Sequence, residues 1–488
     1  MVELNSLHTL FQTKARNEAL KKFVKDDKCM RLHISGLQGS AAALLLAGLP
    51  EYGTTTLFIA NDPEEAGYLY NDFMQIRNDN RVLFFPSGYK RALKYGQTDP
   101  AADILRTDTI NRLQQVDESL IVTYPEALCE KVASNEELHR NTLRLAKGEK
   151  CDLASVADFL TGYGFERVDY VYEPGQFAVR GSIVDVYSFS SDLPYRIDTF
   201  GDEIESIRAF NIDTHLSQDP VNEIFIIPDL QAGSTSGISL LQFIDKNTLL
   251  AVKDLAWVLE RMHSVATDTI SQQLLLTEEG DLHAKEKLID TDDFSRYVLD
   301  FKRIDYGVKS FRDETGATLS LNCSPQPIYH KNFDLVSESF SSLLQDGYKL
   351  YILSDSEKQT QRIANIFEDK GENIPFTPVS KTLHEGFIDN ELHLCFFTDH
   401  QLFDRFHKYQ LRSDKARSGK LALSLKELRQ FEVGDYIVHI DHGVGKFGGL
   451  FRTELNGSMQ EVIKLIYQND DILFVSIHAL HKLAKYRA

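Results

Sequence analysis

Four short β-prone runs punctuate the start of the chain: Arg31–Ser35, Thr56–Ala60, Arg81–Phe85 and Ser119–Thr123. They stand roughly 25 to 35 residues apart, too far for hairpins and the right length for a strand, a crossover helix and the next strand, so they predict βαβ units and a parallel sheet. Between the second and third runs, Asp62 suits a helix N-cap and Pro63 the first helical position. Ala66, Leu69, Tyr70, Phe73 and Met74 then form one apolar stripe, which reads as core rather than a cofactor box.

With 488 residues, the chain exceeds what one core can organise, and domains of roughly 100 to 200 residues give three to five of them. From 155 the texture changes. A short helix at Val156–Gly162 is followed by strand-like Asp169–Tyr172, Phe177–Arg180, Ile183–Tyr187, Tyr195–Phe200 and Ile204–Phe210, with turns at Pro174-Gly175, Arg180-Gly181 and Gly201-Asp202. This predicts a hairpin-rich α+β insert with exit strand Ile224–Pro228 and return loop Gln231–Gly237. Strand-like Thr248–Val252 and helical Trp257–Met262 follow. A second α/β unit then has strands Tyr348–Ser354 and Leu392–Thr398 and a helix capped by Ser356 that turns Ile363, Ile366 and Phe367 inward. The end of the chain alternates over Asp435–Ile440, Lys446–Glu454, Glu461–Tyr467 and Ile472–Ile477, the pattern of a small SH3-like or Tudor-like β-barrel.

The expected domains are therefore 1–130 (α/β), 131–230 (α+β insert), 231–320 (the remainder of the first body), 321–412 (second α/β), 413–430 (basic linker and helix) and 431–488 (barrel). The formal net charge of −19 opposes a phosphate backbone and favours protein partners. The exception is Arg405, Lys408, Arg412, Lys415, Arg417, Lys420, Lys426 and Arg429, set against Asp404, Asp414 and Glu427 and read as a solvated linker and helix. Five scattered cysteines without a CxxC pair fit a reducing cytoplasm. The longest apolar run, Ala41–Leu49, is about half of what spans a bilayer.

The stretch Gly36-Leu37-Gln38-Gly39-Ser40-Ala41-Ala42-Ala43 follows the first strand and opens a helix, where a phosphate loop G-x-x-x-x-G-K-[ST] would sit. A working loop needs a lysine against the phosphates and a hydroxyl on Mg²⁺. Ala41, Ala42 and Ala43 hold the last three positions here. The strand Leu120–Thr123 runs into Tyr124-Pro125-Glu126 with no acidic pair to hold magnesium. Two readings stay open: a nucleotide loop that has lost its chemistry, and a glycine turn that never had it. No catalytic residue or cofactor is expected. His439, His442, His478 and His481 make no metal site, since the first two should face apart along a strand. Asp198, Asp202, Glu203 and Glu205 read as solvated turn acids.

The segment from Gly164 through Glu173-Pro-Gly-Gln-Phe-Ala-Val-Arg-Gly-Ser-Ile-Val-Asp-Val-Tyr187 and on through Pro194 to Arg208 resembles a stretch shared by the repair helicase UvrB and the transcription-repair coupling factors of the Mfd family. Val433 to Leu450, with Asp441-His-Gly-Val-Gly-Lys-Phe-Gly-Gly449, resembles the polymerase-interacting domain of that family, also seen in CarD-type regulators. The resemblance implies a UvrB-like body with a degenerate phosphate loop (Gly36, Gly39, Ala41, Ala42, Ala43) and an insert that recruits UvrA through Arg167 and Arg180, to which Phe177 is added as an exposed apolar anchor. Ala178 departs from the UvrB pattern, which has arginine there. The resemblance further implies a tail that binds RNA polymerase. Its β-subunit contact is read from the segment Lys446 to Thr453: if Gly448 and Gly449 bend the strand, Leu450 to Thr453 leave the barrel core and present an unpaired edge, with Lys446, Leu450, Phe451, Arg452 and Thr453 as the contact residues. ATP and Mg²⁺ belong to the family's translocase motor, whose motifs are not in this sequence, so the chain is expected to be a fragment or a motorless relative. DNA should be met weakly or only through that motor, and the chain is expected to be a monomer. An ATP-dependent helicase and a CarD-like regulator without a repair role are the alternatives.

Overall fold

The computed structural model describes residues 2–88, 100–115, 118–189, 191, 193–212, 216–226, 237–274, 288–311, 316–405, 434–439, 442–455, 458–467, 471–476 and 483–485. The architecture is multidomain, α/β and α+β, with a small antiparallel sheet at the C-terminal end. Two compact units comprise residues 1–134 with 235–411, and residues 135–234 with 412–488. Among the described residues no helix is long and apolar enough to cross a membrane.

The first unit contains two sheets. In spatial order the larger runs Ala317–Ser320, Arg31–Ser35, Arg303–Asp305, Leu249–Val252, Thr56–Ile59, Leu120–Thr123 and Val82–Phe84, and every neighbouring pair is parallel. Its inner strands Arg303–Asp305, Leu249–Val252, Thr56–Ile59 and Leu120–Thr123 bury every residue, as a parallel sheet covered on both faces requires, whereas Arg31–Ser35 buries only Leu32 and Ile34. Asp62 caps the helix Pro63–Arg77 by accepting from the Glu64 and Glu65 amides. The buried face of that helix is wider than the apolar stripe. Tyr68, Asn71, Asp72 and Ile76 are buried beside Ala66, Tyr70 and Phe73, because the helices Leu4–Phe11 and Ala41–Leu46 also pack on it.

The second sheet runs Val2–Glu3, Thr377–Ser380, Lys349–Ser354, Leu394–Thr398, Phe387–Asp389 and Cys323–Pro325; its first four strands are parallel and its last two join antiparallel. The domain expected over 1–130 is thus not self-contained, since its first strand lies in the sheet of the following α/β unit. The Arg16 guanidinium, buried 2.7 Å from Asp389, holds the helix Lys14–Lys25 there as well. Ile363 and Phe367 enter this core and Ile366 lies against it. Ser356 precedes the helix Glu357–Asp369 but makes no side-chain cap. Its amide instead donates to the Ser354 hydroxyl at the strand end.

In the second unit, the insert is a six-stranded sheet in the order Ser217–Val221, Glu203–Phe210, Tyr195–Phe200, Ile183–Val186, Gln176–Arg180 and Glu166–Arg167. All neighbours are antiparallel except the last pair. The strand expected at Asp169–Tyr172 is absent: the chain pairs two residues earlier and then bends. Leu143–Ala146 and Glu223–Ile226 pair antiparallel where the chain enters and leaves. The tail is a five-stranded sheet in the order Ile472–Ser476, Ser458–Ile466, Gly443–Leu455, Tyr436–His439 and Leu483–Lys485, with Ile437, Phe447, Ile463, Leu465, Val475 and Leu483 as its core. The basic segment after Arg405, including the helix expected at Leu421–Leu428, and most of the return loop lie outside the described residues.

Candidate functional site

Cross-strand register decides which face of the insert each residue serves, because directly paired residues share a face. Phe177, Val184, Val186 and Ile197 belong to the face that packs on Val156 and Leu160 of the helix Leu153–Gly162. Phe177 is fully buried. It cannot be the exposed anchor expected of it, because the same alternation that makes the strand sends this ring into the core. Arg167 is exposed and pairs with Phe177, so it sits on that face at the edge strand. Arg180 lies two residues beyond Ala178 and serves the opposite face. The two arginines therefore do not share one surface.

On the second face, Ala178, Asp185, Arg196 and Arg208 form a row across four strands. Asp185 is buried and receives the Arg196 guanidinium at 2.7 and 2.8 Å and the Arg180 guanidinium besides. Arg180 also donates to the Asp169 carbonyl at 2.8 Å and lies over the Tyr170 ring. Arg196 lies over Phe210, 4.8 Å from its centroid. Arg208 donates to the Ser206 hydroxyl at 2.9 Å. Two guanidiniums thus converge on a single buried carboxylate, with Arg208 one strand further along the same row, so this face gathers cations that would suit an acidic partner. Sequence reasoning missed Arg196 and Arg208. The turn at Gly201-Asp202 does not reveal the row, because a register shift between Asp198 and Thr199 sets Arg196 opposite Arg208 and the pairing with Asp185 comes from the strand on the other side.

In the tail, the strand Gly443–Leu455 is continuous and carries a bulge between Phe447 and Leu450. Lys446 is interior to the sheet, paired with both Tyr436 and Ile466, and its ammonium lies over the Tyr436 ring. Leu450 to Thr453, expected to leave the barrel core with an unpaired edge, stay paired on one side: together with Glu454 and Leu455 they form a hairpin with Ser458–Ile463. Their other side has no partner strand among the described residues, because Tyr436–His439 reaches only Gly443–Lys446.

The alternation of hydrogen bonds says which residues use that open side. Leu455 and Ser458 close a two-residue connection and so exchange bonds with each other, as then do Thr453 with Gln460 and Phe451 with Val462. Counting from the other end agrees. The Phe447 amide donates to Asp435 and its carbonyl accepts from Gly434, both on the side away from Ser458–Ile466. Leu450, Arg452 and Glu454 therefore aim their N–H and C=O groups outward. Thr453, expected to be an edge donor, is spent inside the hairpin. Leu450 and Phe451 are nearly half exposed.

The turn Gly36–Ser40 joins the strand Arg31–Ser35 to the helix Ala41–Leu46, which is buried except at Ala42. Gly36 and Gly39 both have positive φ, and both are hemmed in by main chain. A Cβ on Gly36 would lie 1.8 Å from the Leu321 carbonyl oxygen, and one on Gly39 would lie 2.8 Å from that of Gly386. The Ser40 amide donates to the Glu385 carbonyl at 3.1 Å. The Ser40 hydroxyl donates to Asp72 at 2.6 Å and accepts from the Glu385 amide at 3.0 Å. Asp72 also accepts from the His384 amide at 2.8 Å, and the His384 ring stacks on Tyr68. Burial, with the charge of Glu385 adding to it, pushes the Asp72 carboxyl up to about 7.

Among the described residues no group of three or more His, Cys, Asp or Glu side chains could hold a metal ion. His439 and His442 do not face apart: the strand ends at His439 and their rings stand 4.7 Å from each other. His478 and His481 lie outside the described residues. Asp202 and Glu203 are exposed at the hairpin turn.

Residues 143–231 match the UvrB interaction domain family and residues 431–487 the CarD-like/TRCF RID domain family. Transcription-repair-coupling factors of Bacillus subtilis (strain 168) and Staphylococcus aureus (strain bovine RF122 / ET3-1) are 24% and 22% identical to the chain over 93% of its length. That of Staphylococcus epidermidis is 22% identical over the same share. The chain spans 45% of the length of each of these relatives. The resemblance read from the sequence is thereby shown: along 93% of its length the chain matches transcription-repair-coupling factors, and it carries a UvrB interaction domain and a CarD-like/TRCF RID domain.

Proposed function

We propose that this chain is the partner-binding, non-catalytic portion of a coupling factor, a tether that brings UvrA to a stalled RNA polymerase in the cytoplasm. The observation that carries the proposal is the presence of both matched domains in one chain. Binding both partners at once raises the concentration of each beside the other without any chemistry in the tether.

The UvrA surface is the face built around Asp185, with Arg180, Arg196 and Arg208 as its cations. Arg167 serves from the other face, so a partner touching both must wrap the edge strand Glu166–Arg167. The polymerase β subunit adds a strand to the open side of Leu450–Leu455, with main-chain bonds to Leu450, Arg452 and Glu454 giving affinity and the Phe451 ring giving specificity. The tail is a small SH3-like barrel. Gly36–Ala43 is a degenerate phosphate loop that neither binds nor hydrolyses ATP, since Ala42 and Ala43 stand where a lysine and a hydroxyl are needed.

Pull-down of purified UvrA and of purified polymerase β subunit by the chain tests the reading. Capture of both is expected, lost for UvrA alone in R180E/R196E and for the β subunit alone in Arg452→Pro. Capture of neither by the unmodified chain would refute it.

A further inference from the structure

A phosphate loop binds its ligand with main-chain N–H groups, so losing the lysine and hydroxyl need not close the site. Here two of those donors, where the turn meets the helix, are engaged. The Ser40 amide is bonded to the Glu385 carbonyl, and the Ala41 amide closes back on Gln38. The turn is walled on two sides by main chain from the second sheet and the segment leading into it. The Leu321 amide donates to Ser35 and the Cys323 amide to the Gly36 carbonyl, while Glu385 and Gly386 lie over Gly39. The covering loop is itself anchored. The Thr382 amide donates to Asp355, His384 to Asp72, Glu385 to Ser40 and Gly386 to Gln401. A Cβ on Gly386 would lie 1.9 Å from the Gln326 amide oxygen, so the loop has no room to slide.

From this geometry we infer that residues 382–386 are a built-in ligand of the Gly36–Ala43 turn: the Glu385 carbonyl takes the place of a phosphate oxygen and clamps the two sheets of the first unit together. The inference rests on reading the turn as a degenerate phosphate loop. It goes beyond that reading by making the loss of nucleotide binding structural rather than a matter of two missing side chains. Restoring the side chains alone does not reopen the site. The contact also explains why Ser40 does not cap its own helix: its hydroxyl is committed to Asp72 and to Glu385.

The test is calorimetry with Mg-ATP on the whole chain, comparing the unmodified protein with A42K/A43S, which restores the cation and the hydroxyl. Amide hydrogen exchange at Ser40 and Glu385 is measured on both. Neither protein should take up ATP, and both amides should exchange at least a hundredfold more slowly than exposed loop amides. Micromolar ATP binding by A42K/A43S but not by the unmodified chain would overturn the built-in ligand while leaving the non-catalytic reading intact. Binding by the unmodified chain would sink both. If A42K/A43S fails to fold, rapid exchange of Ser40 and Glu385 in the unmodified protein still refutes the contact, and slow exchange supports it.

Discussion

Asp72→Asn should stabilise the first unit at alkaline pH. Asp72 is buried with two hydrogen-bond donors and, among the described residues, no cation paired with it, and its carboxyl is raised from 3.8 to about 7. The native state therefore holds the proton more tightly than the unfolded chain. Its stability is greatest below the unfolded value, declines as pH rises through the interval to about 7, and is flat above it. Three pH units at about 1.4 kcal/mol each make the ionised side chain cost about 4 kcal/mol at pH 8. Asparagine is uncharged at every pH and of the same size, and it can accept from His384 while its amide donates to the Ser40 oxygen. It forgoes about 1 kcal/mol of charge-assisted bonding, leaving a gain of about 3 kcal/mol at pH 8 and less than about 1 kcal/mol at pH 5. Trp257 is the only tryptophan of the chain and lies in this unit, so its fluorescence during urea unfolding reports on this unit. Equal stability of variant and parent at both pH values, or a variant weaker at pH 8, would refute the reasoning.

Other substitutions follow from the same geometry. Arg452→Pro should weaken binding of the polymerase β subunit at least tenfold with the tail still folded by circular dichroism, whereas Thr453→Pro should damage the hairpin itself; equal binding by Arg452→Pro would exclude strand addition at this edge. R180E/R196E places like charges against an acidic partner and should cost UvrA binding several kcal/mol, about 2 to 5, with R167E alone costing less; titration calorimetry separates them. Glu130→Ala strands the buried Arg106 guanidinium, 3.2 Å from it in the parent, and should cost about 3 to 5 kcal/mol in the Trp257-monitored transition. Gly36→Ala should lower the same stability by more than about 2 kcal/mol, because its φ is left-handed and a Cβ has no room beside Leu321.

The parallel sheet was legible from spacing, since only a crossover fits 25 to 35 residues between short apolar runs. The Asp62 cap was equally local, and the structure has it. What sequence reading lost was set by pairing. Phe177 and Arg180 belong to one five-residue strand, yet the register sends the ring inward and the guanidinium to the opposite face from Arg167. Thr453 and Arg452 are neighbours with opposite hydrogen-bonding duties, fixed by the two-residue hairpin connection beyond them. His439 and His442 meet because a strand ends between them. Residues 384–386 over the Gly36–Ser40 turn come from more than three hundred positions away, and no local pattern marks such a contact.

The claim that most needs testing is that one chain holds both partners. Purified UvrA and polymerase β subunit, which should not bind each other tightly at micromolar concentration, are passed together over size-exclusion chromatography with and without this chain. The account predicts a single peak containing all three proteins only when the chain is present, split into two binary complexes when the insert carries R180E/R196E or the tail carries Arg452→Pro. Mutually exclusive binding, with UvrA displacing the β subunit from the unmodified chain, would contradict it.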